Sequence, residues 1–146
     1  MSRAIAVAAL VATLCASGIA DAAPRIANAW MRPAAAGAPS ADAYADIVTE
    51  SALTLVRVRT PVARAVEIVL LDPRDPAATP RVVDKVAIPS GETRFALRGS
   101  VLRLVDVRSA LTPERPVPLA FEFADYLGEK IVVETLVQVR GLLPPK

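Results

Sequence analysis

The segment VPLAFEF, residues 117–123, has the clearest periodicity in the chain. Apolar residues stand at every second position from Val117 to Phe123, and Pro118 and Glu122 lie between them. A period of two is typical of a strand with one face in a core and the other toward solvent. The segment KIVVETLVQVR, residues 130–140, repeats the pattern. Both segments therefore predict strands that pack on one core.

The rest of the chain divides into similar short apolar segments, separated by Pro, Gly, Ser and Asp residues. DPRDPAATP, residues 72–80, contains three prolines and predicts an exposed loop. Eight or nine strands at a spacing of about ten residues, without a convincing long helix, favour a single all-β domain, an antiparallel sandwich or barrel. The further predicted strands cover residues 26–32, 43–49, 53–60, 65–71, 81–88, 93–97 and 101–107.

The first 22 residues resemble a secretory signal peptide. They have a positive start at Arg3, an apolar run, and the sequence Ala-Asp-Ala ending at Ala22. Cleavage there would leave a single domain of residues 23–146, periplasmic or secreted, with no segment long enough to span a bilayer. A retained N-terminal anchor and a lipoprotein modified at Cys15 are the alternatives, although Leu14 stands where a small residue is expected before that cysteine.

Composition limits the classes of function. Hydrophobic residues make up 53% of the 146 and aromatic residues only 4%, so aliphatic side chains must supply most of the core. The net charge is +2, and the basic residues are spread along the chain without interleaved aromatic residues. That distribution argues against nucleic-acid binding. The scarcity of aromatic residues also makes a sugar-binding sandwich the weakest of the binding hypotheses.

The chain is poor in the side chains that carry chemistry. It contains no histidine, and its one cysteine, Cys15, lies in the predicted signal peptide. The usual catalytic triads and dyads cannot be built, so we expect no enzyme and no resident cofactor. Met31 is the one soft donor left, and its place beside Trp30 suggests a gap-filling core residue. Four carboxylates are expected to point outward from their strands: Glu67, Asp84, Glu122 and Glu134.

Five segments together resemble the periplasmic PCu(A)C-type copper chaperones. They are AWMRP (29–33), VEIV (66–69), VDKVAIPSGET (83–93), LTPERPVPLAFEF (111–123) and the valine-rich final strand (130–140). The resemblance covers nearly all of the mature chain in the right order. It implies a cupredoxin-like Greek-key β-barrel that carries Cu(I) in the periplasm and delivers it to respiratory oxidase assembly.

That family binds copper through the pattern H-x10-M-x21-H-x-M, and this chain departs from it at every ligand. With the family spacing, the four positions fall at Val69, Pro80, Leu102 and Leu104, none of which can hold a metal. We therefore expect a non-enzymatic exported domain with a protein-interaction or accessory role toward another periplasmic or membrane-bound protein. The four apolar residues either form a patch for that partner or extend the core. The alternative is a working copper chaperone that uses unconventional ligands or a site supplied by a partner.

Overall fold

The computed structural model describes residues 23–141, apart from Pro73, Pro76, Ala78 and Arg98. The predicted signal peptide lies outside the described residues. In the described part, no helix is long and apolar enough to cross a membrane, and all regular elements are strands. These are β1 (Arg25–Met31), β2 (Ser40–Thr49), β3 (Leu53–Arg59), β4 (Ala63–Leu70), β5 (Arg81–Val83), β6 (Val86–Ile88), β7 (Gly91–Phe95), β8 (Val101–Val107), β9 (Val117–Ala124) and β10 (Lys130–Val139).

The predicted strands are confirmed, with one division that the sequence did not indicate. The segment 101–107 is a strand with the predicted bounds, and the described residues of 72–80 lie outside any strand. The segment 81–88 is two strands, because β5 pairs with β4 whereas β6 pairs with β3. A bend at Asp84 therefore carries the chain from one half of the sheet to the other, as at the corners of β-sandwiches.

The strands form one nearly closed, barrel-like sheet in the order β5-β4-β8-β2-β1-β10-β9-β3-β6, and β7 also pairs with β2. A single all-β sandwich or barrel was predicted, and the structure confirms it. The predicted antiparallel pairing is corrected at one place, since β1 and β10 are parallel. These two strands come from opposite ends of the chain, so no hairpin turn sets their relative direction.

The core lies between the two halves of the sheet, and strand alternation decides which side chains enter it. The apolar positions of β9, from Val117 to Phe123, are at most 3% exposed, as the period of two predicted. On β10, Val137 and Val139 are buried and Ile131 packs against the core. Each fully buried side chain of this size stabilises the fold by about 1.5–3 kcal/mol. Burial of aliphatic side chains thus holds the domain together.

Glu122 is the exception to the alternation. Its side chain faces outward from β9, as predicted, yet the residue is only 4% exposed. Three cations surround its carboxylate: Lys130 Nζ lies at 3.1 Å from Oε1, Arg57 Nε lies at 3.9 Å from Oε2, and Arg59 contacts Oε1. The hydrogen bond from Lys130, assisted by the charges of Arg59 and Arg57, lowers the pKa of Glu122 against the opposing effect of burial. Glu122 therefore links three neighbouring strands through its charge.

The lowered pKa of Glu122 predicts that acid weakens the fold. Because the folded-state pKa lies below the ordinary value of 4.5, this contribution to stability is complete above that pH and is lost as the pH falls through the folded pKa. Urea unfolding at a series of pH values should show stability falling below about pH 4.5. Glu122→Gln should be less stable at pH 7 and should show a shallower acid dependence. Glu50→Gln, in an exposed turn, should behave as wild type. A Glu122→Gln variant with the full acid dependence would show that other carboxylates are responsible.

Candidate functional site

Two of the four positions singled out by the family spacing lie in the core. Leu102 and Leu104 on β8 are both 0% exposed and belong to the main hydrophobic cluster. Leu102 pairs with Ile68 of β4 on one side and with Ala43 of β2 on the other. Both leucines therefore extend the core, and neither offers side-chain surface to a partner.

Val69 points to the other side of the sheet. Its pairing partner on β8 is Val101, whereas the preceding residue, Ile68, pairs with Leu102. Directly paired residues share a face, and successive residues of a strand alternate between faces. Val69 is 3% exposed but lies outside the core cluster that contains Ile68 and Leu102. The four positions therefore do not converge on one site.

Pro80, the remaining position, is exposed in the loop immediately before β5. It stands two residues before Val82, which pairs with Val69. The β8 side chains that lie on the same face as Val69 are those of Val101 and Arg103. These residues immediately precede Leu102 and Leu104 in the sequence. A shift of one residue moves a side chain to the opposite face of the sheet, and only strand pairing reveals it. Val69 therefore shares its face of the sheet with Val101 and Arg103, and not with Leu102 and Leu104.

The face of Val69 carries a line of apolar and aromatic side chains across five strands. We call it the apolar row, and its members are Val82, Val69, Val101, Tyr44 and Trp30. The rings of Trp30 and Tyr44 pack with centroids 4.5 Å apart and planes tilted by 35°. Val82 is the most exposed residue of the apolar row, with 53% of its surface accessible to solvent.

A line of charged side chains runs beside the apolar row. The charged row consists of Glu67, Arg103, Asp42 and Arg32, with alternating sign. The side-chain Nε of Arg103 lies 3.8 Å from Asp42 Oδ1. The backbone N–H of Arg32 donates a hydrogen bond of 3.1 Å to the backbone carbonyl oxygen of Asp42.

The environment of Tyr44 keeps its hydroxyl protonated at neutral pH. Burial raises the pKa of Tyr44, Arg32 opposes the rise, and Asp42 adds to it.

Neither row suits Cu(I). The apolar row offers hydrocarbon and aromatic surface, and the charged row offers carboxylate oxygens, whereas Cu(I) prefers thioether, thiolate or imidazole donors. Met31 is 0% exposed and packs in the core beside its pairing partners Ala43 and Val139. Its sulfur therefore lies on the opposite face from Val69. Among residues 23–141 as described, no group of three or more His, Cys, Asp or Glu side chains is arranged to hold a metal ion.

The carboxylates named from the sequence have different surroundings. Glu67 belongs to the charged row, and Glu122 is held by three cations. Glu134 is exposed on β10, and Asp84 is exposed at the bend between β5 and β6.

Comparisons with known proteins show which solved structures share this fold. Three of the solved structures that match are each 18% identical to this chain. The copper-bound PCuAC domain from PmoF2 has a TM-score of 0.60, with 83% of this chain and 97% of that chain covered. The apo PmoF2 PCuAC domain has a TM-score of 0.61, with 82% of this chain and 93% of that chain covered. The apo PCuAC domain from PmoF1 has a TM-score of 0.59, with 82% of this chain and 97% of that chain covered. The fold is therefore cupredoxin-like, as the resemblance predicted.

No curated protein matches the chain. The profile of one family, described as "Putative lipoprotein LpqE-like", matches residues 25–137, which is most of the described domain. The resemblance found in the sequence is thereby confirmed at the level of the family. The chain belongs to the LpqE-like family, and its fold is similar to that of the PCuAC domains.

Proposed function

We propose that this chain is an exported, non-enzymatic accessory domain that keeps the PCu(A)C fold and acts by contacting another exported or membrane-bound protein. The observation that carries the proposal is the chemistry of the apolar row. Val69 and Val101 pair on the outer face of β4 and β8, and Trp30 and Tyr44 pair on the same face of β1 and β2. The family description as a lipoprotein supports export.

Loss of copper binding is part of this proposal. We propose that the positions equivalent to the family ligands on β4 and β8 are Val69, Val101 and Arg103, since these three share a face. None has a lone pair suited to Cu(I), and the chain has no histidine to replace them. Copper carriage, the alternative function, would need donors supplied by a partner.

The two rows have the composition of a protein-binding surface. Interfaces combine an apolar centre, often with Trp or Tyr as anchors, with a polar rim. The apolar row contains half-buried Trp30 and exposed Val82, whereas Val69 and Tyr44, each 3% exposed, support them from below, and the charged row runs along it. Of the patch expected at Val69, Pro80, Leu102 and Leu104, only Pro80 is exposed, so we propose that Val82, Trp30 and the charged row make the contact instead.

A Cu(I) competition titration tests the loss of copper binding. Anaerobic titration of the domain against a chromophoric chelator should leave the chelator fully loaded at stoichiometric copper, both with the domain alone and with candidate partner proteins present. Withdrawal of copper by the domain alone would refute the proposal. Withdrawal only with a partner present would favour the alternative of a shared site.

Restoring donors on the correct face should restore copper binding. The variant Val69→His, Val101→His, Arg103→Met brings three donors together, because directly paired residues have Cβ atoms about 4.5–5.5 Å apart. It should compete for Cu(I) at least tenfold better than wild type, a difference of roughly 1.4 kcal/mol.

The matched control is Val69→His, Leu102→His, Leu104→Met. It carries the same donors but directs two of them into the core, so it should lose stability without gaining copper affinity. Equal copper binding by both triple variants would contradict the assignment of faces.

The partner surface is tested by charge insertion. Val82→Asp places a carboxylate in the apolar row and should weaken binding to a co-purifying exported protein by roughly tenfold or more. Leu97→Asp is the control, because Leu97 is 47% exposed, close to the 53% of Val82, and lies in the turn between β7 and β8. Equal binding by both variants, with unchanged melting temperatures, would remove the apolar row as the contact surface.

A further inference from the structure

The outer face of β3, β9 and β10 is a second surface, distinct from the apolar and charged rows, and we call it the β9 face. Its side chains lie in cross-strand rows that the pairing defines. One row joins Arg59, Ala120 and Glu134, and the next row toward the start of β9 contains Pro118 and Leu136. Leu136 is 67% exposed, which is unusual for a leucine in the middle of a strand. The β9 face therefore combines an exposed leucine with opposite charges at its two sides.

A depression lies beside the Arg59 row. It is lined by Arg59, Thr60, Pro61, Pro118, Ala120 and Glu134, and the backbone near Leu119 completes it. Two prolines and an alanine make its floor largely apolar. No side chain among the described residues fills it, and Leu136 projects from the neighbouring strand at the level of Pro118.

We propose that the β9 face binds a second copy of this chain as a two-fold symmetric dimer. A two-fold axis parallel to β9 places β3 of one copy over β10 of the other and keeps each row at the same height. Arg59 of each copy then faces Glu134 of the other, because both residues pair with Ala120. A two-fold interface requires this self-complementarity, since the same patch must meet itself.

The same two-fold rotation places Leu136 of one copy against the depression of the other copy. Leu136 lies at the level of Pro118, so the axis brings it over the Thr60–Pro61 segment that follows β3 in the other copy. The exposed leucine thus meets the apolar depression. Small side chains at the centre, such as Ala120, let the two sheets approach to the roughly 10 Å that is usual for packed sheets. Glu122, which lies near the axis, is already neutralised by Arg57, Arg59 and Lys130.

The size of the β9 face determines how strongly the two copies are expected to associate. Three strands about 4.8 Å apart and about eight residues long give a face of roughly 14 by 27 Å. Two such faces bury roughly 750 Å² in all, which is below the roughly 1,000 Å² expected for a stable, specific interface. The dimer should therefore be weak and dependent on concentration. This inference goes beyond the proposed accessory role and does not depend on it, because neither the apolar row nor copper takes part.

Sedimentation equilibrium of the described domain from about 5 to about 500 μM tests the proposal, over the range in which an interface of this size associates. Wild type should convert from monomer to dimer within this range. Glu134→Lys sets like charges opposite Arg59, and Leu136→Asn removes the apolar contact, so each should weaken dimerisation by roughly tenfold or more.

Two control variants should dimerise as wild type. Leu127→Asn changes a leucine of the same 67% exposure in the β9–β10 turn, outside the β9 face. Glu50→Lys makes the same charge change in the exposed turn after β2. Circular dichroism melting establishes that all variants are folded. A wild-type protein that stays monomeric at every concentration, or a dimer that Glu134→Lys and Leu136→Asn leave intact, would overturn the proposal. Neither result would affect the copper titration.

Discussion

The pairing of β4 with β8 is the constraint on which the rest of the domain depends. In this register Ile68 meets Leu102 and Val69 meets Val101. One set of side chains thereby enters the core, and the other builds the outer face with β1, β2 and β5. A slip of one residue would bury Arg103 and expose two leucines, at a cost that no surface contact could offset. The hydrophobic core thus decides which residues are available for function.

The outer face of β4 and β8 combines apolar and charged side chains on a cupredoxin-like fold. A cupredoxin-like sheet is stabilised by inward side chains, and outward side chains can vary without disturbing it. Here the outward positions of β4 and β8 are Val69, Val101 and Arg103, which form part of an apolar row and a charged row. Neighbouring strands extend both rows, with Trp30 and Tyr44 packed ring against ring. The outer face of these strands therefore presents hydrocarbon, aromatic and charged groups side by side.

The opposite half of the barrel uses its outer face differently. Glu122 is nearly buried there, and its three cationic neighbours connect β3, β9 and the start of β10. A carboxylate left without these partners would be costly at such low exposure, so the arginines are tied to the stability of this face. Further along the same strands the face becomes apolar at Leu136 and Pro118. Pro118 lies four residues from Glu122 along β9, so the ion pairs and the apolar part of this face are separate.

The sequence by itself determined the fold class, the strand at 101–107 and the inward residues of β9, because the period of two reports burial directly. It also determined that no histidine is available and that the chain resembles a copper-chaperone family. It did not determine the parallel pairing of β1 with β10, the division of 81–88, or the burial of Glu122, since these depend on contacts between distant segments. Only the tertiary structure decided that Leu102 and Leu104 face away from Val69. A spacing counts residues along the chain, whereas the face of a sheet is set by which residues pair across it.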